Sequence, residues 1–158
     1  MRILLALMLA AGCASDAPVN VAGNYTLATT NGANGCQFSM WTPGATATGI
    51  PLTVTQQESD FTAEIGGLTG ALVEYALGSR IFIGTVSGAN LHAVLVGTRN
   101  LMPGQCVYKV TGTMNGTLVG DALTGTLDLS AVIVTAAADC PPAGCKSTVS
   151  FNGTRPPR

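Results

Sequence analysis

Charge is scarce in this chain. Charged residues make up 9% of it, against a typical share of about 25%, and the few present nearly cancel, seven basic against eight acidic. No basic field exists to hold a phosphate backbone by counterion release, so nucleic acid is not an expected partner. Aromatic residues are 5%, too few for the stacking platforms of carbohydrate or single-strand binders. Histidine occurs once, and no G-x-S-x-G, phosphate loop, H-E-x-x-H or calcium loop is present. The unbroken apolar run Ile3 to Ala11 is nine residues long, well short of the ~20 needed to cross a bilayer as a helix. What the chain has instead is twenty glycines and twenty threonines, a mixture costly inside helices and suited to strands and turns. At 158 residues it is expected to form one domain.

The amino terminus carries the most specific signal. Arg2 supplies a short positive region, and the apolar run that follows has the length of a signal-peptide core. It ends in Leu9-Ala10-Ala11-Gly12-Cys13. Those residues resemble the lipobox of a bacterial lipoprotein precursor, with Ala11 and Gly12 before the cysteine and Ala10 where the family favours leucine. The resemblance implies a signal peptide over residues 1–12, cleavage before Cys13, and two or three acyl chains on Cys13. Each buried CH₂ adds about 0.8 kcal/mol, so the chains together make a lasting membrane anchor. Ala14, in place of an aspartate directly after the cysteine, implies the bacterial outer membrane as destination. An ordinary secretory signal cleaved near Ala14 or Ala17, giving a periplasmic or secreted protein, is the alternative.

With Cys13 set aside, Cys36, Cys106, Cys140 and Cys145 remain, an even number suited to two disulfides in an oxidising compartment. Cys140-Pro-Pro-Ala-Gly-Cys145 closes a small loop of turn residues, so local pairing of Cys140 with Cys145 is the economical expectation, leaving Cys36 for Cys106. A zinc site would need short Cys/His pairs at both ends of its ligand set, and only one close pair exists. Neither a metal nor a cofactor is expected.

Residues 13–20 read as a lipidated tether and 21–158 as an all-β domain. Strand-like runs recur at the spacing of barrels and sandwiches: Tyr25–Thr29, Gln37–Trp41, Leu52–Gln57, Phe61–Ile65, Ile81–Val86, Leu91–Gly97, Cys106–Met114, Thr117 or Leu123 to Leu129, and Ser147–Phe151. Leu68 to Leu77 is open between helix, short connection and irregular strand, because glycines crowd it. Gly88-Ala89-Asn90 and Gly120-Asp121-Ala122 supply hairpin turns, with Asn115-Gly116 competing for the second. Gly112 and Gly125 lie inside alternating strands, where glycine marks bends. Pairing of Gly23-Asn24-Tyr25 with Phe151-Asn152-Gly153 would close a single small antiparallel meander barrel of about eight to ten strands; a two-sheet sandwich is the alternative. Gly23-x-Tyr25 resembles, over three residues only, the G-x-W of the lipocalins, barrels that hold small apolar ligands.

Candidate chemistry is thin. His92 lies in a strand-like run with no partner visible in sequence, and reads as a structural or surface residue. Glu58, Asp60, Glu64 and Glu74 offer a carboxylate pair or weak cation site on one reading, and Glu58-Ser59-Asp60 is a solvated hairpin tip on the simpler one. Trp41 with Phe38 and Met40 is the best aromatic cluster, expected to be core or the rim of a ligand site. The N-x-T matches at Asn24, Asn115 and Asn152 follow from abundant threonine. The expected function is a lipid-anchored envelope protein with a non-catalytic binding or structural β-domain. Its partner beyond the membrane would be a small apolar ligand or an envelope protein, and a carboxylate-dependent hydrolase is the remaining alternative.

Overall fold

The computed structural model describes residues 17–157. The signal-peptide region at 1–12, the lipidation candidate Cys13 and the first residues of the tether lie outside the described residues. The remainder is all-β apart from one helix. Strands β1 (Gly23–Asn34), β2 (Thr46–Gln57), β3 (Asp60–Ile65), β4 (Ile81–Ser87), β5 (Asn90–Val96), β6 (Val107–Val119), β7 (Ala122–Thr135) and β8 (Ser147–Thr154) follow one another, with helix α1 (Gly67–Leu77) between β3 and β4. Each strand pairs antiparallel with the next, and β8 pairs with β1, so the sheet is a closed barrel. The two terminal strands do close it, but in a register shifted from the expected one: Phe151, Asn152 and Gly153 lie opposite Thr29, Ala28 and Leu27, while Gly23, Asn24 and Tyr25 pair only with β2.

A meander places alternate connections at opposite ends. At one, the hairpin end, three two-residue turns join β2 to β3, β4 to β5 and β6 to β7. Their first residues, Glu58, Gly88 and Gly120, have φ of 56°, 55° and 60°, the left-handed backbone that suits the twist of adjoining strands. Gly120-Asp121, not Asn115-Gly116, is thus the β6–β7 turn. The chain enters here too: the Val21 side chain is fully buried in the barrel mouth. Gln56 Oε1 accepts the Val21 N–H at 2.6 Å, and the Tyr25 hydroxyl donates to Val21 O at 2.7 Å. Arg155 donates to Asn20 O and Ala22 O and pairs with Asp121 at 2.9 Å, locking the entry strand to the exit strand.

The other end, the loop end, carries the long connections. α1 lies over this mouth with Val73 and Leu77 packed on the core, and Gly70 allows the approach because a Cβ there would collide with Ile65 O. Gly78, at φ 81°, ends the helix and donates its N–H to Glu74 O. Residues 37–41, expected as a strand, form loop instead. Gln37 sits at φ 55°, and the Asn34 side chain accepts the Phe38 N–H and donates to Phe38 O, both at 2.9 Å. That side chain takes the backbone groups a sheet would need.

The disulfides correct the expected pairing. Cys36 bonds to Cys145 and Cys106 to Cys140. Strand register explains the first: Asn34 pairs with Ser147, and Cys36, two residues after Asn34, faces Cys145, two residues before Ser147, with Cα atoms 4.8 Å apart. Separate turns, Ala137 to Cys140 and Pro142 to Cys145, aim the neighbouring thiols at opposite sides of the loop. The β7–β8 loop is therefore stapled on one side to the β1–β2 loop and on the other to the start of β6. Ser147, fully buried, accepts the Cys36 N–H and donates to Asn34 Oδ1, each at 3.1 Å.

Inside the barrel, large and small residues alternate around each layer. Phe61 pairs with Gly84, which pairs with Ala93. Phe82 pairs with Ala63, and its ring would lie 3.3 Å from a Cβ on Gly112. Phe151 pairs with Gly125, which pairs with Gly116. The phenylalanine rings, with Tyr25, Leu52, Leu95, Met114 and their neighbours, join into one continuous buried cluster along the barrel axis. An eight-strand interior is just wide enough for side chains to fill.

Candidate functional site

The aromatic residues singled out from sequence meet at the loop end. Phe38 stands 6.3 Å from Trp41 and, nearly parallel, 6.3 Å from Tyr108. The Trp41 Nε1–H donates to Gly32 O at 3.0 Å. Phe38 packs on a second buried cluster formed by Cys106, Tyr108 and Val110 beneath the loops. Burial pushes the Tyr108 phenol above its ordinary range, so it stays protonated at neutral pH. Sequence reading missed Tyr108 because it sits in an alternating strand like any core residue. Together the three rings pack the loops against the sheet, and beside them lies a cleft of about 130 Å³ reached by Asp139 and the Cys140 side chain. Asp139 Oδ2 accepts the Gln105 N–H at 2.9 Å, which ties two loops together.

His92 lies elsewhere, on the outer wall of β5. Its Nδ1 is 2.8 Å from Asn115 Oδ1 on β6. An amide oxygen only accepts, so in this contact Nδ1 is the donor. The surroundings are threonines, serines and asparagines, among them Thr85, Ser87, Asn90 and Thr117, lining an open groove of about 500 Å³. A neighbouring groove of about 590 Å³ runs along β2, β3 and β4 past Thr55, Thr62 and Asp60. Among the described residues, His92 makes no side-chain hydrogen bond other than that to Asn115, so it is not joined to a nucleophile as a triad requires.

The carboxylates divide between the two ends of the barrel. Glu58 occupies the β2–β3 turn. Glu64 and Glu74 both pair with Arg80, at 2.7 and 3.4 Å, so the two acids share one cation at the barrel rim. Among the described residues no group of three or more His, Cys, Asp or Glu is placed to hold a metal ion.

The exposed apolar residues are the most uneven feature of the surface. Met40, Leu68, Leu72, Tyr75 and Met102 are all exposed, Met40 at 97% and Leu68 at 78%, and all belong to the connections of the loop end. Val96, Val132 and Val134 lie on outer walls near the same end, whereas Val19 and Val119 are the large exposed apolar residues at the hairpin end. No protein-family model matches the chain, and neither a curated protein nor a solved structure matches it.

Proposed function

We propose that this chain is a lipid-anchored protein of the bacterial outer membrane, whose β-barrel works without catalysis as a binding or structural module at the envelope surface. The observation that carries the reading is the division of labour between the two ends. The chain enters at the hairpin end, four residues after Cys13 and with Val21 seated in the barrel mouth, while both disulfides brace the loops of the opposite end. Disulfides of this kind persist in oxidising compartments outside the cytoplasm. An acylated Cys13 would hold the hairpin end toward the bilayer and turn the loop end outward.

A filled interior favours the scaffold over a carrier of small apolar ligands. Ligand-holding barrels need a central cavity of several hundred Å³, and here three phenylalanine rings and their neighbours occupy the axis. The hydrolase alternative finds no support in carboxylates shared by Arg80. Labelling with a radioactive fatty acid in the native host tests the anchor. The label is expected on the wild-type chain and absent from Cys13→Ser; equal labelling of both would refute the reading.

A further inference from the structure

α1 carries an apolar face that no other described element covers. Gly70, Val73 and Leu77 face the barrel, and Leu68, Leu72 and Tyr75 form a stripe on the opposite side at the i, i+4, i+7 spacing of a single helix face. The Arg99 guanidinium, from the neighbouring β5–β6 connection, stands 4.9 Å over the Tyr75 ring. Among the described residues Arg99 pairs with no carboxylate, and the carboxylate on the helix, Glu74, is already shared with Arg80. Tyr and Arg, both present here, are among the residue types enriched at protein interfaces, and such a stripe beside a cation without a carboxylate partner is an unusual surface for a chain so short of charge.

We propose that the α1 stripe with Arg99 is the docking surface for another protein, through a segment that presents apolar side chains and a carboxylate to meet the guanidinium. The proposal rests on the anchored reading above for the direction in which the surface faces. A second copy is the poorer occupant. In a two-fold pair each Arg99 would meet a stripe whose carboxylate is taken, and two chains anchored in one membrane by their hairpin ends do not bring their loop ends face to face. The chain's own Cys13 to Asp16 is too short: four residues reach about 14 Å, whereas β6, thirteen residues long, extends about 43 Å, which at the usual barrel tilt leaves a wall roughly 30 Å tall. The stripe is out of reach of the tether and of the bilayer that would hold it.

Selection of displayed random dodecapeptides on the full exported chain, followed by anisotropy titration of the enriched peptides, tests this. The expected peptides carry at least two large apolar residues and one acidic residue. Their affinity should fall about tenfold or more for Leu72→Asp and for Arg99→Glu, and a peptide with its acid changed to lysine should bind Arg99→Glu better than wild type. Both substitutions are at exposed positions, and unchanged melting of the variants confirms that they remain folded. Enriched peptides that bind both variants as tightly as wild type would overturn the proposal, as would failure to enrich any. Binding to phosphatidylglycerol vesicles that Leu72→Asp abolishes would identify the stripe as a membrane contact instead, and self-association lost in that variant would identify a second copy. Peptide binding does not require acylation, so a failed Cys13 label and a failed selection remain separate results.

Discussion

The Phe151 ring lies over Gly125, its directly paired neighbour on β7, so closely that a Cβ on the glycine would stand 2.6 Å from Phe151 Cζ. The same added atom would collide with Asn115 O and meet Gly116 Cα at 2.8 Å. One ring thus occupies the space of three inward positions, and this exchange of a large residue for two glycines fills the barrel at the hairpin-end layer.

Gly125→Ala is therefore expected to destabilise the domain by about 2 kcal/mol or more, since two of the obstructing groups are backbone and a packed core resists extra methyl groups. Phe151→Ala should cost on the order of 3 to 5 kcal/mol by opening a cavity. Chemical denaturation of both variants checks the pair; a Gly125→Ala midpoint equal to wild type would mean the layer is loose.

Non-reducing peptide mapping should find Cys36 joined to Cys145 and Cys106 to Cys140. The bridges span 109 and 34 residues, and constraint of the unfolded chain by loops of that size is worth about 5 and about 4 kcal/mol on the loop-entropy estimate, not additively because the loops overlap. Replacing either pair by alanine should lower melting by on the order of 10 °C, and a reductant should lower it further than either. A melting temperature indifferent to reductant would contradict this.

Glu58 holds a left-handed backbone, at φ 56°, in a turn position where the two equivalent hairpins use glycine. The cost of that conformation for a residue with a Cβ is roughly 1 kcal/mol, so Glu58→Gly should raise stability by up to about that amount. Gly120→Ala, at φ 60° with open space around it, should lose a similar amount for the same backbone reason. Thermal melts that move both variants in one direction would refute the argument.

Asp128 is opposed by desolvation, which raises its pKa, but hydrogen bonds from Lys146 and Thr148 and the charge of Lys146 outweigh it and hold the carboxyl below its ordinary range. A carboxyl lowered on folding stabilises the fold above its unfolded pKa, near 4, and that contribution disappears as pH falls through the lower folded value. Lys146 is largely exposed, so solvent screening keeps the effect within about 1 kcal/mol. The stability of Asp128→Asn is expected to lie slightly below wild type at pH 7 and to converge with it below pH 3, measured by urea midpoints at the two pH values.

Strand alternation made much of the architecture legible. Period-two patterns in Tyr108 to Met114 and Leu123 to Leu129 led to β6 and β7, and the glycine turns set their hairpin. The polar start of β2 at Thr46 and the polar end of β1 at Asn34 escaped, because strands with hydroxyls and amides on both faces carry no apolar alternation. α1 stayed ambiguous because its fit depends on Gly70 meeting the Ile65 carbonyl, a contact made across a connection. The disulfides were misassigned for a related reason: sequence proximity favoured Cys140 with Cys145, whereas the β1–β8 register, known only after closure, brings Cys36 opposite Cys145. Tyr108, Arg99 and the α1 stripe gave no local signal, since each acquires meaning only from the loops that gather at one end.

Intact-mass measurement of the protein extracted with detergent from the membranes of its native cells tests the central claim most directly. The account predicts a chain that begins at Cys13, carries the added mass of two or three acyl chains, and gains four hydrogens on reduction as its two disulfides open. A chain of unmodified mass recovered from the soluble fraction, or one that begins at a residue other than Cys13, would contradict it.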